Sequence, residues 1–220
     1  ILARRREMDD KGLQDKPLVV LAGESHVESA TALHHLLLLK KLRPTEPATV
    51  FTYEFAHDFD QNVANQLEID TSKFDLEEKS RWLLSIYLDF FSVAFARYAK
   101  KVLFNYVLQK DIPFRATDTS MRNHHLNGAD PSTRESLNAC SPRWHSWLRT
   151  IFADKSGPSA LEDKGLHARN HHIVKSSLAF GEETSARIIV QHCGYAHITG
   201  LDLHPYEQSL SGLFNKSGQQ

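Results

Sequence analysis

The stretch that constrains this chain most is PLVVLAGESHVE, Pro17 to Glu28. Leu18 to Ala22 is a continuous apolar run, the pattern of a fully buried strand in a parallel sheet. Gly23 ends it, and a helical pattern starts almost at once. Ser25 and Glu28 have the spacing of a capping box, which makes Ser25 a helix N-cap. Glu24 and His26 therefore stand where a strand hands over to a helix N-terminus, the place where open α/β sheets bind ligands. The partial positive charge of a helix start favours ionised Glu24 and neutral His26 there. Such a pair suits general-base chemistry or metal ligation.

The rest of the chain alternates helices and strands, and no internal repeat stands out. Residues 1–16 are charged and read as a short helix or arm. Val27 to Arg43 reads as a helix stopped by Pro44 and Pro47. Ala48 to Glu54, ATVFTYE, is β-branched and aromatic, a second strand. Asp75 to Asp111 supports one long helix or two, buried on several sides, because Leu83, Tyr87, Phe91 and Phe95 fill the face opposite Trp82, Ile86 and Phe90. Arg81, Asp89 and Arg97 interrupt that run before it reaches the roughly 20 apolar residues of a spanning helix, so membrane contact is not indicated. Ile112 to Asp118 is a third strand. Arg122 to Pro142 is a polar loop, and helices follow at Arg143 to Phe152 and Ala160 to Phe180. Ala186 to His192 is a fourth strand. A weak helix opens at His204-Pro205, and residues 211–220 read as a frayed tail.

These elements define an α/β fold with a mostly parallel central sheet flanked by helices and an active site at the strand C-terminal ends. At 220 residues the chain fits a single domain. Each strand ends in polar chemistry: Glu24 with His26, then Glu54, Asp118 and His197. In a parallel sheet all four ends share one rim. Loops after strands are polar by default, so each residue also has a structural reading. For Asp118, followed by Thr119 and Ser120, capping is at least as good an account as catalysis. Glu54 has apolar neighbours and needs a partner, which favours function. The tandem pairs His34-His35, His124-His125 and His171-His172 are read as structural, because adjacent helical side chains diverge by about 100°. Cys193 reads as a packed thiol rather than a nucleophile.

A formal net charge of −1 gives no bulk field to recruit nucleic acid. Two cysteines, Cys140 and Cys193, make no disulfide framework and fit a reducing compartment. ILARRREMDD begins with Ile and lacks the apolar core of a signal peptide, so the chain reads as a module of something longer.

Gly23-Glu24-Ser25-His26 and Gly194-Tyr195-Ala196-His197 are both G-x-x-H. With Glu54 between them and Arg169-Asn170 ahead of the last strand, the set resembles the superfamily of erythromycin esterases, Tiki/TraB proteases and ChaN-like haem-binding proteins. That superfamily includes endopeptidase modules of large bacterial toxins. The resemblance runs from Leu18 to about Gly200 and implies an α/β fold with Glu24, His26, Glu54 and His197 as the catalytic set. Glu within the first G-x-x-H follows the esterase and toxin branches and departs from the Tiki pattern. Arg169, Tyr195 and Asp118 are the candidate substrate-binding side chains. The function expected is amide or ester hydrolysis, most of all of a peptide bond in a protein substrate, by an effector module acting in a host cytosol. A metal-dependent version would use His26, His197 and one Glu around a divalent cation. The alternative from another class is a ChaN-like module binding haem or metal without hydrolysis, with Tyr195 or a His as axial ligand.

Overall fold

A computed structural model of the chain describes residues 1–24, 29–56, 70–73, 78, 97–118, 163–199 and 206–217. Four strands form one parallel sheet: β1 (Leu18–Glu24), β2 (Thr49–Ala56), β3 (Phe114–Asp118) and β4 (Ile188–Gly194), in the order β1-β4-β2-β3. The last strand thus inserts between the first two. All seven residues of β4 are buried, as a central parallel strand covered on both faces requires.

Successive side chains of β4 alternate between two cores. Ile188 and Val190 face a cluster with Ala22, Phe51, Tyr53, Leu39, Leu103 and Phe104. That side is covered by α2 (Ser29–Leu42) and α3 (Arg97–Gln109). Ile189 and Cys193 face the other cluster, with Val19, Val50, Ile173, Phe180 and Phe214. There the cover is α4 (Asp163–Glu183), with α5 (Tyr195–Thr199) and α6 (Leu210–Lys216) at its end. Ile188 is in register with both Leu18 and Thr49. Counting up from that row, Glu24 falls on the α2/α3 face and Glu54 on the α4 face.

Element boundaries moved for local reasons. α3 and α4 both end in a left-handed residue, Asp111 (φ 46°) and Ser185 (φ 51°). Just after each, a backbone N–H closes on the helix's last turn, Ile112 on Val107 and Ala186 on Gly181, a C-terminal stop of the Schellman kind. β3 and β4 therefore start two residues later than their apolar runs, and β4 runs on to Gly194. β2 continues past Glu54 to Ala56, with a register shift after Tyr53.

The expected frayed tail over 211–220 is corrected by α6. Ser209 caps it, accepting from the Gly212 N–H at 3.2 Å, and Leu210 and Phe214 are fully buried. Leu210, Leu213 and Phe214 form a helical apolar stripe that the polar residues around it obscured. At the other end, the charged arm is the helix α1 (Leu2–Asp10), pinned by buried Arg5, which donates to Asp9 and to the Leu13 carbonyl. Among the described residues no helix is long and apolar enough to cross a membrane. The Ser25 cap, His26, Cys140, most of the segment expected to be helical before Arg97, and the elements expected over 122–152 lie outside the described residues.

Candidate active site

β2, β3 and β4 end along one rim, and α4 crosses it. Glu54, near the end of β2, gathers three donors. Arg169 reaches its Oε1 at 2.8 Å, His197 Nε2 the same oxygen at 2.8 Å, and the Gly194 N–H its Oε2 at 2.7 Å. Asp118, fully buried at the end of β3, takes Arg169 from the other side, with Nε at 3.1 and 3.0 Å from its two oxygens and a further contact from the terminal guanidinium nitrogen. Arg169 is thus clamped between two carboxylates. Burial works against its charge, but Asp118 and then Glu54 outweigh that and raise its affinity for the proton above the ordinary value.

His197 is buried in the first turn after β4, so the strand-to-helix junction sets its position. Its Nδ1 meets Asn170 Oδ1. The Asn170 amide nitrogen donates to the Gln208 carbonyl at 2.9 Å, which fixes the amide with its oxygen toward the ring. Both imidazole nitrogens therefore face oxygen atoms, Asn170 Oδ1 on one side and Glu54 Oε1 on the other.

A second network lies across the sheet, on the α2/α3 face. Buried Glu24 is in register with Gly194, the residue whose N–H holds Glu54. Lys100 of α3 donates to Glu24 Oε1 at 3.0 Å, and His192 Nε2 stands 3.1 Å from Oε2. Behind His192, His35 of α2 brings its Nδ1 to 2.7 Å from His192 Nδ1. Burial, with the neighbouring His192 next, pushes His35 down to about 4, Glu24 pulling partly back. Between the networks sits Cys193, its thiol pushed well up by burial and by Glu54, Glu24 and Asp118. A thiol held protonated this way is no nucleophile.

Of the residues singled out from sequence, Glu54, His197, Arg169 and Asp118 are drawn into one cluster. Glu24 sits in the adjoining one on the opposite face. Tyr195 is 45% exposed, and its ring lies so close to Gly23 that a Cβ there would stand 2.6 Å from it. Glycine is what allows that approach. Sequence reasoning missed His35, His192 and Lys100. His35 shares a helix face with buried Ala32 and Leu39, a signal hidden by treating His34-His35 as a pair.

A divalent cation would need several of these donors to converge on one open point. Among the described residues no three His, Cys, Asp or Glu side chains converge as a metal site. Glu54 and His197 already engage each other, and the guanidinium of Arg169 fills the space between the acids. As arranged, these side chains do not fit a metal.

Neither a family model, nor a curated protein, nor a solved structure matches the chain. The fold and the site together define an α/β protein whose parallel strands end in two buried acid–imidazole networks.

Proposed function

We propose that the chain is a hydrolase that cleaves an amide bond, of the endopeptidase kind, with Glu54 and His197 as its acid–base pair. The observation that carries this is the 2.8 Å contact between His197 Nε2 and Glu54 Oε1, backed by Asn170 on the far side of the ring. A carboxyl group and an imidazole in contact supply a base and an acid from one pair. Water attacks the scissile carbonyl and gives its proton to Glu54. His197 Nε2–H stabilises the developing oxyanion and then protonates the leaving nitrogen as the C–N bond breaks. The proton on Glu54 returns to Nε2 and closes the cycle. Arg169 and Asp118 hold Glu54 in place. The order of the two G-x-x-H motifs around Glu54 supports a place beside the esterase and toxin branches of the erythromycin esterase/Tiki/ChaN-like superfamily, with His26 in the same set. That branch points to an effector module and a protein substrate.

The test is to incubate the purified chain with cell lysate and map new protein termini, with Glu54→Gln as control. New termini made by the wild type and absent with the variant support the reading. Identical termini from both overturn it.

A further inference from the structure

The core on the α4 side of the sheet holds one polar layer among apolar ones. Gln191 of β4 lies between Ile189 and Cys193 on that face and is fully buried. Its amide nitrogen donates to the His192 carbonyl at 3.2 Å, which turns the amide oxygen toward three hydroxyls. Thr52 of β2 donates to that oxygen at 2.8 Å, and Ser177 of α4 at 2.6 Å. These two fill its lone pairs. Thr117 of β3 stands 3.4 Å away and donates to the Tyr53 carbonyl at 3.2 Å. All four residues are shut off from solvent.

We propose that Gln191 is a positioning residue for the acid–base pair, the point at which the segments carrying the site are tied together. Thr52 lies two residues before Glu54 on the same face of β2, and Thr117 directly before Asp118. Ser177 lies two helical turns along α4 from Asn170, the residue against His197. Gln191 itself stands three residues before Gly194, whose N–H holds Glu54. One amide oxygen therefore sets the heights of β2, β4 and α4 against one another. It does so about 7 Å below Glu54, the rise of two strand residues.

The rest of this face is built from apolar side chains such as Val50, Ile173 and Ile189, so burial alone does not call for an amide here. Apolar burial is non-directional. Two hydrogen bonds converging on one buried atom fix position as well as contact. That matters most for α4, which delivers both Arg169 and Asn170. A small slide of this helix would draw the guanidinium off Glu54 and the amide off His197 together.

The tie itself stands without the hydrolase reading, and its effect on turnover rests on that reading. In protein labelled with 15N at histidine, the Nδ1–H of His197, held on Asn170, should give a slowly exchanging downfield proton, assigned with His197→Gln. Gln191→Met, close in size but without the amide, should speed its exchange with water about tenfold or more. That change strands two buried hydroxyls, so the triple variant Gln191→Met/Thr52→Val/Ser177→Ala, whose layer is wholly apolar, is measured beside it. Its urea midpoint should lie near that of the wild type while the exchange stays fast. Slow exchange in either folded variant overturns the proposal, as does a wild type without such a proton. For turnover, a peptide spanning a cleavage site mapped in lysate is assayed. Both variants should lower kcat by about 10²-fold with KM unchanged, the cost of a displacement of about 1 Å made away from the chemistry. A triple variant that regains kcat together with stability shows that the layer only packs, and overturns the positioning role. A wild type that cleaves nothing sinks the hydrolase reading and the turnover effect together, while the exchange rates still decide the tie.

Discussion

His197 Nε2 and Glu54 Oε1 meet at 2.8 Å although the two residues stand 143 positions apart in the sequence (197 − 54). The pairing exists because β4 inserts beside β2, so the first turn after β4 falls against the end of β2. A parallel sheet converts distant strand ends into neighbours.

Asn170 orients that pair. It accepts from His197 Nδ1 and is itself fixed by the Gln208 carbonyl. Asn170→Ala should leave the fold intact and lower kcat for peptide cleavage by roughly 10²-fold, the cost of a misplaced catalytic group. Circular dichroism and steady-state kinetics on one preparation check this. A variant with wild-type kcat contradicts the orienting role.

Asp118 is the fully buried half of the clamp on Arg169. Asp118→Asn leaves a buried guanidinium with Glu54 alone, and breaking such a pair costs about 3–5 kcal/mol. Urea unfolding should show the midpoint falling at unchanged slope. A loss below about 1 kcal/mol would mean the clamp contributes little to stability.

The strand ends were legible in the sequence because each apolar run stops at an acid or a G-x-x-H turn. Glu24, Glu54, Asp118 and His197 could therefore be assigned to one rim before any coordinates. What the sequence did not carry was the row in which Ile188 meets both Leu18 and Thr49. That register decides that Glu24 and Glu54 leave by opposite faces. It is set by tertiary pairing, and a shift of one residue reverses every side chain. His192 ended a predicted strand and Lys100 lay inside a predicted helix. Neither had a local reason to meet Glu24. The tail failed differently: its helix draws stability from burying Leu210 and Phe214, and tertiary packing overrode weak local propensity.

Acid should weaken the fold through His35. Its folded value of about 4 lies below the ordinary 6.5, so between those limits the unfolded chain binds a proton that the folded chain refuses. Stability therefore falls as pH drops from about 6.5 to about 4, by on the order of 3 kcal/mol. Unfolding free energies of wild type and His35→Gln across that window check it. The variant's curve should be flatter, and parallel curves would contradict the assignment.

The central claim is that Glu54 and His197 act as one unit, and a double-mutant cycle measures that directly. With a peptide substrate identified in lysate, Glu54→Gln and His197→Gln should each lower kcat by about 10²–10⁴-fold. The double variant should lose little more than either alone, because removing one member already disables the pair. Losses that multiply in the double variant, or a single variant that keeps the wild-type rate, would contradict it.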